Sequence, residues 1–310
     1  MATIDEINKK AECIRSFLEN NGIATDSIVV EKGLTVSLYK VKTGSDVTAC
    51  QFLDLKKTMR WRLGLKGLRV YHLEGGVIGI EVANEQPEYI PLETILAREQ
   101  SRMQKLELPV LLGYTFGQEL VLLDLQTAPN LLVSGVSSPE VNRFLESAVE
   151  SLKIKNVDVR VIDPTSATFS IEETDKSLEN LKEEVSRRLV ENSIKHPNTV
   201  VVINNYTDIA LDVIGDKLRS RSIRKSIIQL AQRGRKAGVH IILATNCPSV
   251  DVLSLRIKTY FPARIAFQTK SRLDSMTILD SPGAECLIGD GDMLFSKGDE
   301  IKRIQMCDYT

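Results

Sequence analysis

Residues 130–152 read NLLVSGVSSPEVNRFLESAVESL, and this stretch indicates how the 310-residue chain folds. Positions 130–133 form a short apolar run typical of a buried strand, whereas positions 139–152 repeat apolar residues at helical spacing. A glycine, serines and a proline separate the two patterns, as expected for a turn that opens a helix. A buried strand that leads through a short turn into a helix is the building unit of α/β proteins.

The same alternation continues along the chain and predicts the fold class. Further apolar runs lie at 157–162, 199–203, 239–244 and 264–267, with helical patterns near 178–193 and 223–237. Short Val/Ile/Leu strands between helices predict an α/β protein with a mostly parallel sheet that is covered by helices on both faces. Ligands of such sheets bind beyond the carboxyl ends of the strands, so the loops after Val133, Ile203 and Ala244 are the first candidates for a functional site.

The first hundred residues follow a different pattern and predict a small α+β domain. Helical spacing is found at 4–18 and 52–63, strand patterns at 27–31 and 34–41, and a hairpin at 68–82 that turns at Gly75-Gly76. A charged stretch at 98–107 is the predicted linker. The predicted domains are therefore residues 1–100 and 101–310.

Composition and charge exclude several classes of protein. The 40 Lys and Arg residues nearly balance the 41 Asp and Glu residues, so any nucleic-acid surface must be a local patch. No apolar run approaches the roughly 20 residues of a membrane span, and the first residues show no signal peptide. The five cysteines are scattered without a CxxC pair and only three histidines occur, which predicts a cytoplasmic protein with no metal site.

Several motifs in the C-terminal part resemble the FtsK/SpoIIIE family of DNA translocases. The sequence ATNCPSVDV at 244–252 is similar to the family's ATQRPSVDV, and PARIAF at 262–267 is similar to its IPTRIAF. The stretch from Asp274 to Leu294 likewise resembles the family's DSRTILD, GAE and GxGDML segments. The resemblance implies a P-loop-type, RecA-like domain at 101–310, preceded at 1–100 by a unit that resembles the motor's α-type domain.

The departures from the family pattern fall where ATP would be bound. The family's GxxGxGK[ST] loop holds phosphates through glycine amides and a lysine, and Mg²⁺ through a hydroxyl. Positions 135–142 read GVSSPEVN instead: both inner glycines, the lysine and the hydroxyl are replaced, and the proline lacks an N–H. The remaining pattern favours an ordinary capped helix whose first turn supplies its own negative charge. The candidate residues of this degenerate Walker A site are Gly135, Ser137, Ser138, Pro139, Glu140, Val141 and Asn142.

The acidic and sensor positions that the resemblance implies are also replaced. Asn204 and Asn205 stand where the family has the Asp-Glu of its Walker B site, and an amide can neither offset the charge of Mg²⁺ nor accept a proton near pH 7. Asn246 and Cys247 replace the Gln-Arg of the sensor. These losses together predict that the chain does not hydrolyse ATP and that it has no catalytic residue and no resident cofactor. ATP and Mg²⁺ would be cofactors only if the chain were an active motor.

One segment carries a local excess of positive charge. Residues 217–236 contain eight cations and no acidic residue: Lys217, Arg219, Arg221, Arg224, Lys225, Arg233, Arg235 and Lys236. Such a segment is a candidate contact with double-stranded DNA or with a neighbouring subunit, and the alternative is a solvated helix face. Aromatic residues are spread thinly, so no stacking surface for single strands is predicted.

Three functions remain open at this point. The first is a pseudo-motor that does not hydrolyse ATP and acts as a DNA-binding or assembly component, as a homo-oligomer or in a ring with an active homologue. The second is an active double-stranded DNA translocase with a non-standard nucleotide site. The third is a degenerate module of a secretion-type motor that binds a protein partner. No membrane contact is expected, and no stretch that resembles the family's winged-helix domain follows the last predicted strand.

Overall fold

The computed structural model describes residues 4–44, 49–65, 67–163, 170–191, 196–211 and 215–307. Its N-terminal part contains one antiparallel sheet with strand order β1-β2-β4-β3. The elements are α1 (Ile4–Glu19), β1 (Thr25–Glu31), β2 (Val36–Thr43), α2 (Ala49–Arg62), β3 (Leu68–Leu73) and β4 (Val77–Ala83). Both helices bury apolar side chains in one core with this sheet, among them Ile14, Phe52 and Met59. The predicted hairpin that turns at Gly75-Gly76 is confirmed.

A third helix, α3 (Leu92–Met103), follows the first sheet. The charged stretch 98–107, predicted as a linker, is helical as far as Met103 because Leu92, Ile95 and Met103 bury one face of the helix. Its charged residues lie on the other face, where Arg98 and Arg102 both form ion pairs with Glu99. The charge pattern therefore marked the solvated side of a helix and not a chain without regular structure.

The rest of the described chain is built around a nine-stranded sheet with strand order β6-β5-β13-β12-β11-β7-β10-β9-β8. Its strands are β5 (Pro109–Tyr114), β6 (Leu120–Asp124), β7 (Asn130–Ser134), β8 (Asp158–Ile162), β9 (Thr199–Ile203), β10 (Val239–Thr245), β11 (Ala263–Ala266), β12 (Asp292–Lys297) and β13 (Glu300–Gln305). Its helices are α4 (Ser138–Lys153), α5 (Ile171–Val190), α6 (Tyr206–Ala210), α7 (Lys217–Arg233), α8 (Leu255–Thr259) and α9 (Arg272–Leu279).

The nine-stranded sheet confirms the predicted α/β class. The five strands predicted from apolar runs, β8, β9, β10, β7 and β11, pair in parallel. The other four strands extend the sheet in antiparallel pairings, which makes it mixed overall. Separate cores cover its two faces: α4 packs on one face, and α5 and α7 pack on the other. No helix in the described part of the chain is long and apolar enough to cross a membrane.

Buried polar contacts join the two sheets. Arg303 on β13 pairs with Glu81 of the first sheet and with Asp292 on the neighbouring strand β12, and all three side chains are almost fully buried. Gln305 accepts a hydrogen bond from the amide of Thr35 and donates one to the carbonyl of Val36, each at 3.0 Å. Burial raises the pKa of Asp292 and lowers that of Arg303. The contact between the sheets is thus built on charged and polar groups that are removed from water.

Candidate functional site

The predicted site lies at the carboxyl ends of the parallel strands, beginning with the turn from β7 into α4. In this turn the amide of Gly135 donates to the carbonyl of Thr245 at 3.4 Å, and the amide of Val136 donates to the carbonyl of Gln268 at 3.1 Å. Val141, at the position of the family's lysine, is only 3% exposed and belongs to the core between α4 and the sheet. Two backbone donors of the turn are therefore already paired within the chain.

Gly135 is fixed by packing. A Cβ at this position would lie 2.6 Å from the Cβ of Phe267, which is closer than side-chain carbons approach each other. We expect Gly135→Ala to destabilise the protein by about 1–3 kcal/mol, because the neighbouring strand must shift to make room. Thermal melts of this variant and of Gly117→Ala, whose Cβ would meet only a side-chain oxygen at 3.9 Å, test the expectation. Equal melting temperatures for the two variants would contradict it.

Glu140 places a carboxylate in the first turn of α4. Its side chain is only 4% exposed, and its Oε1 accepts a hydrogen bond of 2.9 Å from the amide of Gly291. Anionic groups are stabilised at helix N-termini, which is the position where P-loop proteins hold phosphate. The start of α4 thus receives a negative charge from the chain itself, as the sequence predicted. Ser137 occupies the predicted N-cap position, but its side chain makes no capping hydrogen bond, and Pro139 is the second helical residue.

Three asparagines and one aspartate form a hydrogen-bonded cluster between α4 and the ends of β8 and β9. Asn204 donates to Asn142 Oδ1 at 3.1 Å and to Asp163 Oδ2 at 3.0 Å. Asn205 donates to both carboxylate oxygens of Asp163, at 3.0 and 3.2 Å, from a left-handed backbone conformation with φ of 48°. The cluster brings together the predicted Walker A and Walker B positions and holds them with amide groups.

Sequence reasoning missed Asp163 in this cluster. The residue directly follows β8, so it lies at the carboxyl edge of the sheet beside the residues that follow β9. That position was the available signal, because neighbouring parallel strands deliver their last residues to the same edge. Burial, with the charge of Asp163 as a smaller cause, raises the pKa of nearby Asp208. Among the described residues, no group of three or more His, Cys, Asp or Glu residues could hold a metal ion.

The predicted sensor residues reach the same edge. Asn246 accepts a hydrogen bond from Thr207 at 2.8 Å and donates to Ser138 Oγ at 3.4 Å, so it connects α6 with the start of α4. The amide of Cys247 donates to Thr245 Oγ1 at 3.3 Å, and its side chain packs against the core. The structure therefore brings Asn142, Asn204, Asn205 and Asn246 to one edge of the sheet, where their side-chain amides form hydrogen bonds with neighbouring side chains, including the carboxylate of Asp163.

The basic segment forms α7 and the short 3-10 turn after it. Six of its eight cations are exposed: Lys217, Arg221, Lys225, Arg233, Arg235 and Lys236. The two others are engaged within the fold, since Arg219 pairs with Glu172 at 2.7 Å and Arg224 donates to the carbonyl of Ala210 at 3.0 Å. Arg219 and Arg224 thus hold α7 against α5 and α6, whereas Lys217, Arg221 and Lys225 share one exposed stripe at four-residue spacing.

Comparison with known proteins agrees with this architecture. Residues 2–84 match the family model of the FtsK alpha domain. The chain is 29% identical to the DNA translocase FtsK of Halalkalibacterium halodurans, in an alignment that covers 93% of this chain and 42% of that protein. It is 28% identical to the DNA translocase FtsK of Clostridium acetobutylicum, with 97% and 44% covered. The chain is similar over nearly its whole length to the FtsK DNA translocases.

The chain spans less than half the length of the curated proteins that it matches. Among solved structures, the pCW3 conjugation coupling protein TcpA in its monomer form with ATPγS superposes with a TM-score of 0.66 at 17% identity, covering 97% of this chain and 96% of that one. The cytoplasmic domain of the type VII secretion ATPase EccC of Thermomonospora curvata gives 0.55 at 18% identity, covering 65% and 28%. These likenesses confirm the RecA-like fold predicted for the larger sheet.

Proposed function

We propose that this chain is an FtsK/SpoIIIE-like pseudo-motor that does not hydrolyse ATP and acts as a DNA-binding or assembly component. It consists of an α-type domain at residues 1–100 and a RecA-like domain at residues 101–310. The exposed cations of α7 are its proposed contact with double-stranded DNA or with a neighbouring subunit, whereas Arg219 and Arg224 also contact Glu172 and the carbonyl of Ala210 within the fold.

The observation that carries the proposal is the buried carboxylate of Glu140 in the first turn of α4. A triphosphate brought to this helix start would meet a fixed negative charge of the same sign, and Glu140 already accepts the amide of Gly291. The amides of Gly135 and Val136 are paired with carbonyl groups, Pro139 offers no N–H, and Val141 offers no cation. ATP with its Mg²⁺ therefore does not fit these residues, and no step of a reaction is assigned to it.

Nucleotide binding and hydrolysis test the proposal directly. We expect millimolar Mg·ATP to leave the melting temperature unchanged, because only a ligand that binds the folded state raises it. We also expect no release of phosphate, with or without duplex DNA, under conditions in which an FtsK translocase is active. A rise in melting temperature that is lost in Asn142→Ala or Asn204→Ala would refute the proposal, since these residues would then be holding a nucleotide.

Asp163 favours the second candidate, an active translocase with a displaced acidic residue. Its carboxylate lies within 3.2 Å of the amide nitrogens of Asn204 and Asn205, at the predicted Walker B position. If this candidate is correct, DNA-stimulated phosphate release is measurable in the natural protein and is abolished by Asp163→Asn. Binding of a partner protein or peptide with no retardation of DNA at low salt would instead indicate the secretion-type module.

A further inference from the structure

The exposed face of α2 carries a cationic surface that the proposed function does not use. Four cations, Lys56, Lys57, Arg60 and Arg62, occur within seven residues that contain no acidic residue. Trp61 lies between the last two, and 81% of its side chain is exposed. The packing of α2 does not account for this tryptophan, because Phe52 and Met59 supply the buried face of the helix.

The geometry of the helix places the aromatic ring among the charges. Lys57 precedes Arg60 by three residues and Trp61 by four, so the three side chains are neighbours on the helix surface. Lys57, Arg60, Trp61 and Arg62 are all exposed. Among these cations Lys57 is the facing neighbour of Trp61 at four-residue spacing, and Arg60 and Arg62 lie on either side of it on the exposed surface. An exposed indole beside cations offers a flat apolar face together with groups that attract anions.

A cleft of about 330 Å³ adjoins this surface, between α2 and residues 285–288 that precede β12. Lys56, Lys57 and Arg60 line one side of it, and Gln268 and Glu285 are among the residues on the other. Glu285 accepts a hydrogen bond of 2.7 Å from the amide of Gly283, and Lys56 donates one of 3.1 Å to Cys286 Sγ. The cleft therefore has more cationic than anionic side chains, at a place where the two parts of the chain meet.

We propose that the surface formed by residues 56–62 binds single-stranded nucleic acid, with Trp61 stacked on a base and Lys57, Arg60 and Arg62 contacting phosphates. Single strands are bound in general by aromatic faces that stack on bases beside cations that follow the backbone. Duplex DNA does not satisfy the same arrangement, since its bases are already stacked and their faces are closed to an indole. The proposal concerns a different surface from α7 and does not depend on the state of the nucleotide site.

The protein provides its own probe, because Trp61 is its one tryptophan. Titration of the full chain with an oligothymidylate of about 15 nucleotides is expected to quench the tryptophan emission to saturation. The affinity is expected to fall with salt, with a logarithmic slope of about −2 for three phosphate contacts. A duplex of the same length is expected to quench less, because its bases are already stacked and do not reach Trp61.

Three variants separate stacking from general charge attraction, with affinity measured by the anisotropy of a labelled oligothymidylate. Trp61→Ala is expected to weaken binding about 5- to 150-fold, the range for loss of one stacked base, while the melting temperature stays unchanged because the side chain is exposed. Neutralising Lys57, Arg60 and Arg62 together to glutamine is expected to weaken binding at least tenfold and to flatten the salt dependence. The matched control neutralises three exposed lysines that belong to neither proposed surface, Lys9, Lys105 and Lys176, and should change affinity less than twofold.

Several outcomes would overturn the proposal. Absence of quenching at low salt would show that no base reaches Trp61. Equal losses in the α2 variant and in the control variant would show attraction by net charge alone. Quenching by polyglutamate that equals quenching by the oligonucleotide would identify the surface as a docking site for an acidic protein instead.

Discussion

Arg303→Met is expected to lower the free energy of unfolding by about 3–5 kcal/mol, because it leaves the carboxylates of Glu81 and Asp292 buried without their shared cation. The side chains of Glu81 and Asp292 are fully buried and that of Arg303 is 4% exposed, so water cannot take over the lost contacts. Since a chain of this size shifts its melting temperature by about 2 °C per kcal/mol, we expect a drop of roughly 6–10 °C. Thermal melts and urea denaturation provide the measurement.

The destabilisation of Arg303→Met is also expected to depend on pH. Burial raises the pKa of Asp292 to about 8 in the natural protein, and removing the cation of Arg303 raises this pKa further, so the folded variant keeps the proton of Asp292 to a higher pH than the folded natural protein does. A group whose pKa is raised on folding stabilises the folded state at low pH, and this contribution is lost as the pH rises through the folded pKa. The deficit relative to the natural protein should therefore be larger at pH 9 than at pH 6.

Two further variants show whether buried charge is the cause. Lys302→Met changes the neighbouring residue of β13, whose exposed ammonium pairs with Glu300, and is expected to alter stability by less than about 0.5 kcal/mol. Adding Glu81→Gln and Asp292→Asn to Arg303→Met removes the two buried carboxylates that lost their shared cation, of which Glu81 still has Arg69 at 3.4 Å, and is expected to recover part of the lost stability. If this triple variant is no more stable than the single one, lost packing and not unpaired charge explains the effect.

The parallel half of the larger sheet could be predicted from sequence because its signals are local. β7, β9 and β10 are short and mainly apolar, and they are fully buried as such strands require. The turn into α4 was also predictable, since proline and glutamate at a helix start act through the backbone next to them. By contrast, the hairpin of β5 and β6 joins the sheet through antiparallel pairing with β13, nearly 200 residues later in the chain.

The hydrogen-bond partners at the site could not be predicted from sequence, because they come from distant parts of the chain. Glu140 binds the amide of Gly291, 151 residues away, and Asp163 joins Asn205 from a neighbouring strand. Neither pairing has a periodic signal, because the partner is chosen by the order of strands in the sheet. The exposure of Trp61 could not be predicted for a related reason. An apolar residue in a helical pattern predicts burial, and only the packed core shows which face of the helix is exposed to solvent.

Asn130→Leu is the second substitution for which a large effect is expected, about 3–5 kcal/mol of destabilisation. Asn130 is the first residue of β7 and is only 2% exposed. Its side chain forms hydrogen bonds with three other parts of the chain and so connects them to the strand that leads into the site. Its amide nitrogen donates to the carbonyls of Ala231 and Tyr260 at 3.0 and 2.8 Å, and its Oδ1 accepts the amide of Ile241 at 3.1 Å. Leucine has a similar size but leaves three buried backbone groups without partners.

Asn130→Asp separates the roles of the two ends of this amide. Aspartate keeps the acceptor for Ile241 but turns an oxygen toward the carbonyls of Ala231 and Tyr260, so its ionised form is strongly disfavoured at this buried position. Its pKa is therefore raised in the folded state, and the variant should be more stable at pH 5 than at pH 7.5, whereas Asn130→Leu should show no such difference beyond that of the natural protein. Asn180→Leu, an exposed change of the same chemistry on α5, is the control and should shift stability by less than about 0.5 kcal/mol. If Asn130→Leu and the control have the same melting temperature, the three hydrogen bonds do not hold β7 in place. The position of the turn that leads into α4 must then be set by apolar packing alone.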